Sequence, residues 1–334
     1  MNIMYGENIV SGIAKGKAPF VVSTMPEVWQ MVKDKIGGTS EKVIFVQSME
    51  KLDVERLENS IPEVDFVFGI GGGSAIDFAK YIAWKRKIPL ITVPSITSVD
   101  APITKEIALR IDGKVRYIGK VIPEKILIDY CLIKKAPERL NKAGVGDILS
   151  SHTALFDWKL AAKRGMENYN EEIARKAEGL LSLLEENVEE IRKITNEGIK
   201  LLMQLFLEEN KLCWNSGNSR PEEGSEHLFA YNMEYLTRKH FIHGELVCAG
   251  IILMSYLQEN NPKRALKIIR ETGVSIRPKD LGASREEILK CLLTLPDYVK
   301  KENLFYSIVN EVGEDKEKIN EAVEFYLSNF EVCQ

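Results

Sequence analysis

Three residues in the second half of the chain have the chemistry of a metal site: Asp147 in AGVGDILSSHTALFDW, His227 in RPEEGSEHLFAY and His243 in HFIHGELV. Neutral imidazole suits zinc and related divalent ions, and a carboxylate completes a three-ligand catalytic site that keeps one position open. Each of the three lies near the start of a helical stretch, and ligands from separate helices can converge inside a bundle. The plainer alternative is that such a histidine only hydrogen-bonds within the core. His152 and His240 are read as structural or surface residues, His240 because Arg238 and Lys239 before it mark a solvated segment.

A second set could bind phosphate. DFVFGIGGGSAIDFAK puts Gly69, Gly71, Gly72 and Gly73 between a buried strand and a helix. Backbone N–H groups approach a phosphate only where no Cβ intervenes, and the helix N-terminus adds a favourable dipole. A tight turn that binds nothing would also use glycine, but three in a row cost local stability, which favours function. The loop is not the usual dinucleotide fingerprint, since Ser74 stands where the last glycine would be. One strand later, VPSITSVDAPIT crowds Ser95, Thr97, Ser98, Asp100 and Thr104 together. They lie at the C-terminal end of a parallel strand, the edge where open α/β sheets bind ligands. A Ser/Thr loop capping its own backbone is the alternative there.

The elements that must position these residues fall into two halves. Strands are expected at 19–24, 42–47, 65–70, 89–93 and 125–129, alternating with helical or glycine-rich segments, the signature of a parallel sheet with crossover helices. Asp112-Gly113 between KEIALRI and KVRYIGK predicts a hairpin interrupting that alternation. Beyond about residue 131 the apolar period becomes helical, with helices expected over 147–164, 170–209 (as two), 224–239, 243–259, 262–272, 284–294 and 315–330. The expected fold is therefore an α/β Rossmann-like domain, residues 1–135, followed by an all-α domain, residues 136–334, with a ligand-binding cleft between.

Composition narrows the function. The 334 residues are 45% apolar and 28% charged, ordinary for a folded cytoplasmic protein. A net charge of -4 offers no basic face for a nucleic acid. No apolar run is long enough to span a membrane, and the N-terminus lacks the apolar stretch of a signal peptide. Five scattered cysteines without CxxC spacing suit a reducing compartment and neither a disulfide framework nor a thiolate cluster.

Taken together, GIGGGSAIDFAK, VPSITSVDAPIT, AGVGDILS, GNSRPEEGSEH and HGELV resemble, in that order, the iron-containing alcohol dehydrogenase and glycerol dehydrogenase superfamily. The Ser-Arg-Pro run before Gly-Ser-Glu-His is similar to the archaeal sn-glycerol-1-phosphate dehydrogenase branch. The resemblance implies a dehydroquinate-synthase-like architecture and one zinc per chain bound by Asp147, His227 and His243. It implies NADPH or NADH held by Gly71, Gly72, Gly73, Ser74 and Ala75, by Ser95, Ile96, Thr97 and Ser98, and by Thr104. Substrate contacts are implied for Asp100 and, through the metal, Asp147. Three departures stand out: Ser95 replaces a threonine, Ala101 replaces a glycine, and Tyr231 replaces a histidine near the substrate. Tyr231 lies one helical turn after His227, so its phenol faces the same side and could hydrogen-bond substrate.

The implied reaction reduces dihydroxyacetone phosphate to sn-glycerol 1-phosphate, the backbone of archaeal phospholipids, in a cytoplasmic homo-oligomer. Arg220 is the candidate for the substrate phosphate, because a guanidinium binds phosphate bidentately; a surface pair with Glu222 or Glu223 is its alternative. The strand 42–47 ends in Gln47-Ser48-Met49 without a carboxylate, which predicts that NADPH is accepted at least as well as NADH. A glycerol-dehydrogenase-like oxidoreductase, a dehydroquinate-synthase-like lyase and a non-catalytic nucleotide-binding protein are the rival readings.

Overall fold

A computed structural model describes residues 2–17 and 19–330, and the chain divides between Asn141 and Lys142 into two compact units. The first holds a six-stranded, wholly parallel sheet: β1 (Asn2–Gly6), β2 (Phe20–Thr24), β3 (Lys42–Phe45), β4 (Phe66–Gly71), β5 (Leu90–Pro94) and, after a hairpin, β8 (Lys125–Asp129). Their spatial order is β1-β8-β5-β4-β2-β3. The hairpin strands β6 (Glu106–Ile111) and β7 (Lys114–Lys120) turn at Asp112 (φ 55°) and Gly113 (φ 74°). Both positive angles are what a two-residue primed turn requires, so the Asp-Gly reading holds.

Strands β2, β4 and β5 are buried at every residue, as a sheet covered on both faces demands. Side-chain alternation divides them: Val21, Val67 and Leu90 enter one core, while Phe20, Val22, Phe68 and Ile91 enter the other. Helices α1 (Pro26–Val32), α2 (Lys51–Asn59) and α3 (Gly73–Arg86) cross between strands, and α4 (Tyr130–Ile133) and α5 (Glu138–Ala143) follow β8. The sequence reading omitted β1. It is a half-exposed edge strand, tied down by Asp129, whose carboxylate accepts the N–H groups of Asn8 (3.1 Å), Val10 (3.0 Å) and Leu132 (3.2 Å).

The second unit is helical: α6 (Val145–Leu149), α7 (Ser151–Lys163), α8 (Glu171–Glu186), α9 (Val188–Arg192), α10 (Asn196–Ser216), α11 (Ser225–Thr237) and α12 (His243–Leu257). There follow α13 (Pro262–Thr272), α14 (Pro278–Leu281), α15 (Arg285–Glu302), α16 (Ile308–Val312) and α17 (Lys316–Phe330). Helix α12, buried from Gly244 to Ser255, packs on α6, α11, α13 and α17. Its sequence, HGELVCAGIILMSYL, is apolar around the whole circumference, and such a helix belongs in a core. Two expectations differ. The stretch 170–209 forms three helices and not two, because Thr195 caps a new one at Gly198 N–H. Helix α15 also runs beyond residue 294, through Pro296, to Glu302.

Candidate metal centre

The helical unit brings Asp147, His227 and His243 together: one ligand atom from each lies within 4.8 Å of the others. The cause is a backbone contact. A Cβ on Gly146 would fall 2.7 Å from the Cα of Gly244 and closer still to its carbonyl oxygen. Only glycine lets the starts of α6 and α12 approach so closely, and the flanking residues, Asp147 and His243, are the two candidate ligands. His243 Nε2 lies 3.8 Å from Asp147 Oδ1. His227 enters from the first turn of α11, its ring centroid 5.4 Å from that of His243. Gly146→Ala is therefore expected to cost about 1–3 kcal/mol by overpacking and to weaken zinc binding at least tenfold. Calorimetry and a zinc titration check both, and an unchanged zinc affinity would refute the positioning role.

These residues fit a divalent ion. Tetrahedral zinc with bonds near 2.1 Å needs donor atoms about 3.4 Å apart, a small contraction from what is seen. Asp147 and His227 are each 2% exposed, whereas the His243 side chain is 32% exposed and leaves one flank open, as a catalytic site requires. The electrostatics favour a cation as well. Burial opposes a proton on His227, yet a hydrogen bond with Glu226 and the charges of Glu223, Glu226 and Asp147 outweigh it and lift His227 to about 9. A carboxylate oxygen of Glu222 also lies within 4.8 Å of one on Asp147. So much negative charge calls for a positive ion at this position, which a metal supplies without protonating its ligands.

Two other expected site residues are placed differently. Arg220 is 2% exposed and turned inward: its Nε is 3.0 Å from Glu167 Oε2, its Nη2 donates to the Tyr306 carbonyl (3.0 Å), and its guanidinium lies 4.2 Å from the Phe305 ring centroid. It is neither a surface partner of Glu222 or Glu223 nor exposed to a substrate phosphate; a desolvated cation needs a close carboxylate, and Glu167 provides it. Tyr231 keeps its ring 6.0 Å from that of His227, but its hydroxyl donates to Glu223 Oε1 at 2.6 Å. His152, 7% exposed, is a structural residue: its Nε2 lies 2.7 Å from the Asn260 carbonyl.

In the first unit, β4 ends at Gly71 and α3 starts at Gly73 with no side-chain cap. Gly72 and Gly73 are half-buried and Ser74 exposed, so the first-turn N–H groups are open to an anion. Gly69 serves packing: its Cβ would meet Ala79 Cβ at 2.8 Å, so it lets α3 close onto β4. Ala75 is buried behind the loop. Ser95 N–H donates to Gly71 O (3.0 Å), which locks the β5 tip to the glycine loop, and Ile96 closes over Gly72. Thr97 is drawn back, its N–H and hydroxyl both donating to Asn141 (3.1 and 2.8 Å). Ser98 is buried, and Asp100 heads a turn through the N–H groups of Ile103 and Thr104.

The strand beside β4 is β2, with Thr24 opposite Ile70. The strand tip beside the glycine loop is thus Thr24-Met25 and not Gln47-Ser48-Met49 on β3, which lies one strand further out. Neither tip carries a carboxylate.

Residues 22–137 match the family model for iron-containing alcohol dehydrogenases. A glycerol-1-phosphate dehydrogenase using NAD(P), from Aeropyrum pernix, is 31% identical over 320 residues, 92% of this chain and 89% of its own. Its counterpart from Sulfurisphaera tokodaii is 31% identical over 88% of this chain and 85% of its own. Among solved structures, a probable glycerol dehydrogenase from Sinorhizobium meliloti shares the fold with a TM-score of 0.76 at 17% identity, covering 98% of this chain and 96% of its own. Similarity of that depth along almost the whole chain carries the assignment: the protein belongs to the glycerol-1-phosphate dehydrogenases of the iron-containing alcohol dehydrogenase superfamily and is an NAD(P)-dependent oxidoreductase.

Proposed function

We propose that this enzyme reduces dihydroxyacetone phosphate to sn-glycerol 1-phosphate, with a divalent metal, zinc in our reading, held by Asp147, His227 and His243. The convergence of those three side chains carries the proposal, and the glycerol-1-phosphate dehydrogenase relatives support the substrate. When bound, the metal supplies Lewis acidity to a carbonyl oxygen, and the nicotinamide supplies the hydride. The chain's own residues do the rest. Gly71, Gly72, Gly73, Ser74 and Ala75 bind the cofactor pyrophosphate at the start of α3. Ser95, Ile96, Ser98 and Thr104 position the nicotinamide half, with Thr97 bracing that loop. Asp100 accepts a substrate hydroxyl. Tyr231, latched to Glu223, walls the substrate side. The product suits the backbone of archaeal phospholipids, made by a cytoplasmic homo-oligomer.

The deciding experiment follows NADPH oxidation with dihydroxyacetone phosphate before chelation, after it, and after zinc is returned. Activity should vanish and reappear, and an enzyme specific for the 3-phosphate enantiomer should leave the product untouched. Equal use of dihydroxyacetone would point to a glycerol-dehydrogenase-like substrate instead, and turnover without net NADPH oxidation to a lyase.

Cofactor choice gives a separate test. With no carboxylate at the β2 tip to repel a 2'-phosphate, NADPH should serve at least as well as NADH. Met25→Asp also gives α1 the side-chain cap it lacks, and it should shift the kcat/KM ratio toward NADH tenfold or more without loss of stability. A native preference for NADH beyond about a hundredfold, close to 3 kcal/mol, would exclude this account of the tip.

A further inference from the structure

We propose that Glu226 is the positioning residue that makes His227 a metal ligand. Imidazole binds a metal through one nitrogen, and the hydrogen bond made by the other decides which. His227 Nδ1 lies 2.9 Å from Glu226 Oε1, which also accepts the Gly224 N–H at 2.6 Å, while Oε2 accepts the Thr153 hydroxyl at 2.6 Å. Gly224 N–H and the Thr153 hydroxyl both donate to this carboxylate, which places the His227 proton on Nδ1 and leaves Nε2 its lone pair for the metal. The backbone is fixed too: a Cβ on Gly250 would come within 2.8 Å of the Glu226 carbonyl oxygen, which holds the first turn of α11 against α12.

Glu226 is fully buried, and so is Asp157, which accepts the N–H groups of Ser225 (2.8 Å) and Ile308 (2.7 Å).

This inference rests on the metal-centre reading, and the test separates the two. In Glu226→Gln an amide oxygen can still accept from Nδ1, so the side chain keeps its shape and loses its charge. Zinc affinity, measured by competition with a chromophoric chelator, should fall ten- to a hundredfold, the usual effect of removing an outer carboxylate. The melting temperature of the metal-free protein and the NADPH dissociation constant should stay close to those of the unaltered protein. Should E226Q bind zinc within threefold of the unaltered protein while His227→Ala loses it, the positioning role falls and the metal centre stands. If H227A binds zinc as well as the unaltered protein, both fall. Nitrogen-15 NMR of the unaltered, zinc-loaded protein needs no variant: Nδ1 should carry the proton, and zinc on Nδ1 would overturn the proposal.

Discussion

Replacing His243 with alanine is expected to release the metal and to lower kcat about a thousandfold or more, while NADPH binds within about threefold of the unaltered protein. Lewis-acid stabilisation of a developing negative charge is worth several kcal/mol, and each 1.36 kcal/mol is tenfold in rate. The substitution isolates that effect because His243 is the first residue of α12 and a third of its side chain is exposed. Truncation there leaves little cavity, and the buried body of the helix from Gly244 onward keeps its packing. The nucleotide loops belong to the other unit. Zinc per chain by elemental analysis, thermal melting and NADPH fluorescence would be read together. Full activity of H243A in the presence of a chelator would sink the assignment.

Arg220→Ala is expected to act on stability and not on substrate choice. Removing one partner of a buried ion pair typically costs about 3–5 kcal/mol, because the remaining charge is stranded. For a unit of this size that corresponds to a fall of roughly 6–20 °C in melting temperature. The loss strands Glu167, whose Oε2 lies 3.0 Å from Arg220 Nε. At a temperature where the variant stays folded, its preference for dihydroxyacetone phosphate over dihydroxyacetone should be unchanged. A stable variant that no longer distinguishes the two would put Arg220 back at the substrate.

What the sequence revealed depended on how local the deciding interactions are. The Asp-Gly hairpin, the buried strands and the apolar α12 rest on neighbours in the chain, and all were legible. Strand β1 was not, because NIMYG is half-exposed and its partner β8 comes far later in the sequence. Sheet order is equally non-local: nothing in Thr24-Met25 announces that β2 and not β3 lies beside the glycine-loop strand. In the candidate site, residue type identified Asp147, His227 and His243, and the fold gathers them. The burial of Arg220 could not be read from GNSRPEEGSEH, since it depends on Glu167 and Phe305 from other segments. Glu226 had a signal that went unused, an acid adjoining a candidate ligand, which could have been weighed as its hydrogen-bond partner.

The glycine pair at 146 and 244 bears on how related proteins are compared. A survey that asks only whether the aspartate and both histidines are present would count as intact a protein in which drift has put alanine at position 146. Such a chain would keep every donor atom, while its added Cβ would clash with the Gly244 backbone and force the starts of α6 and α12 apart. A residue that touches neither ion nor substrate would thus weaken the metal centre we propose, and a glycine at position 146 belongs in such a survey beside the three donors.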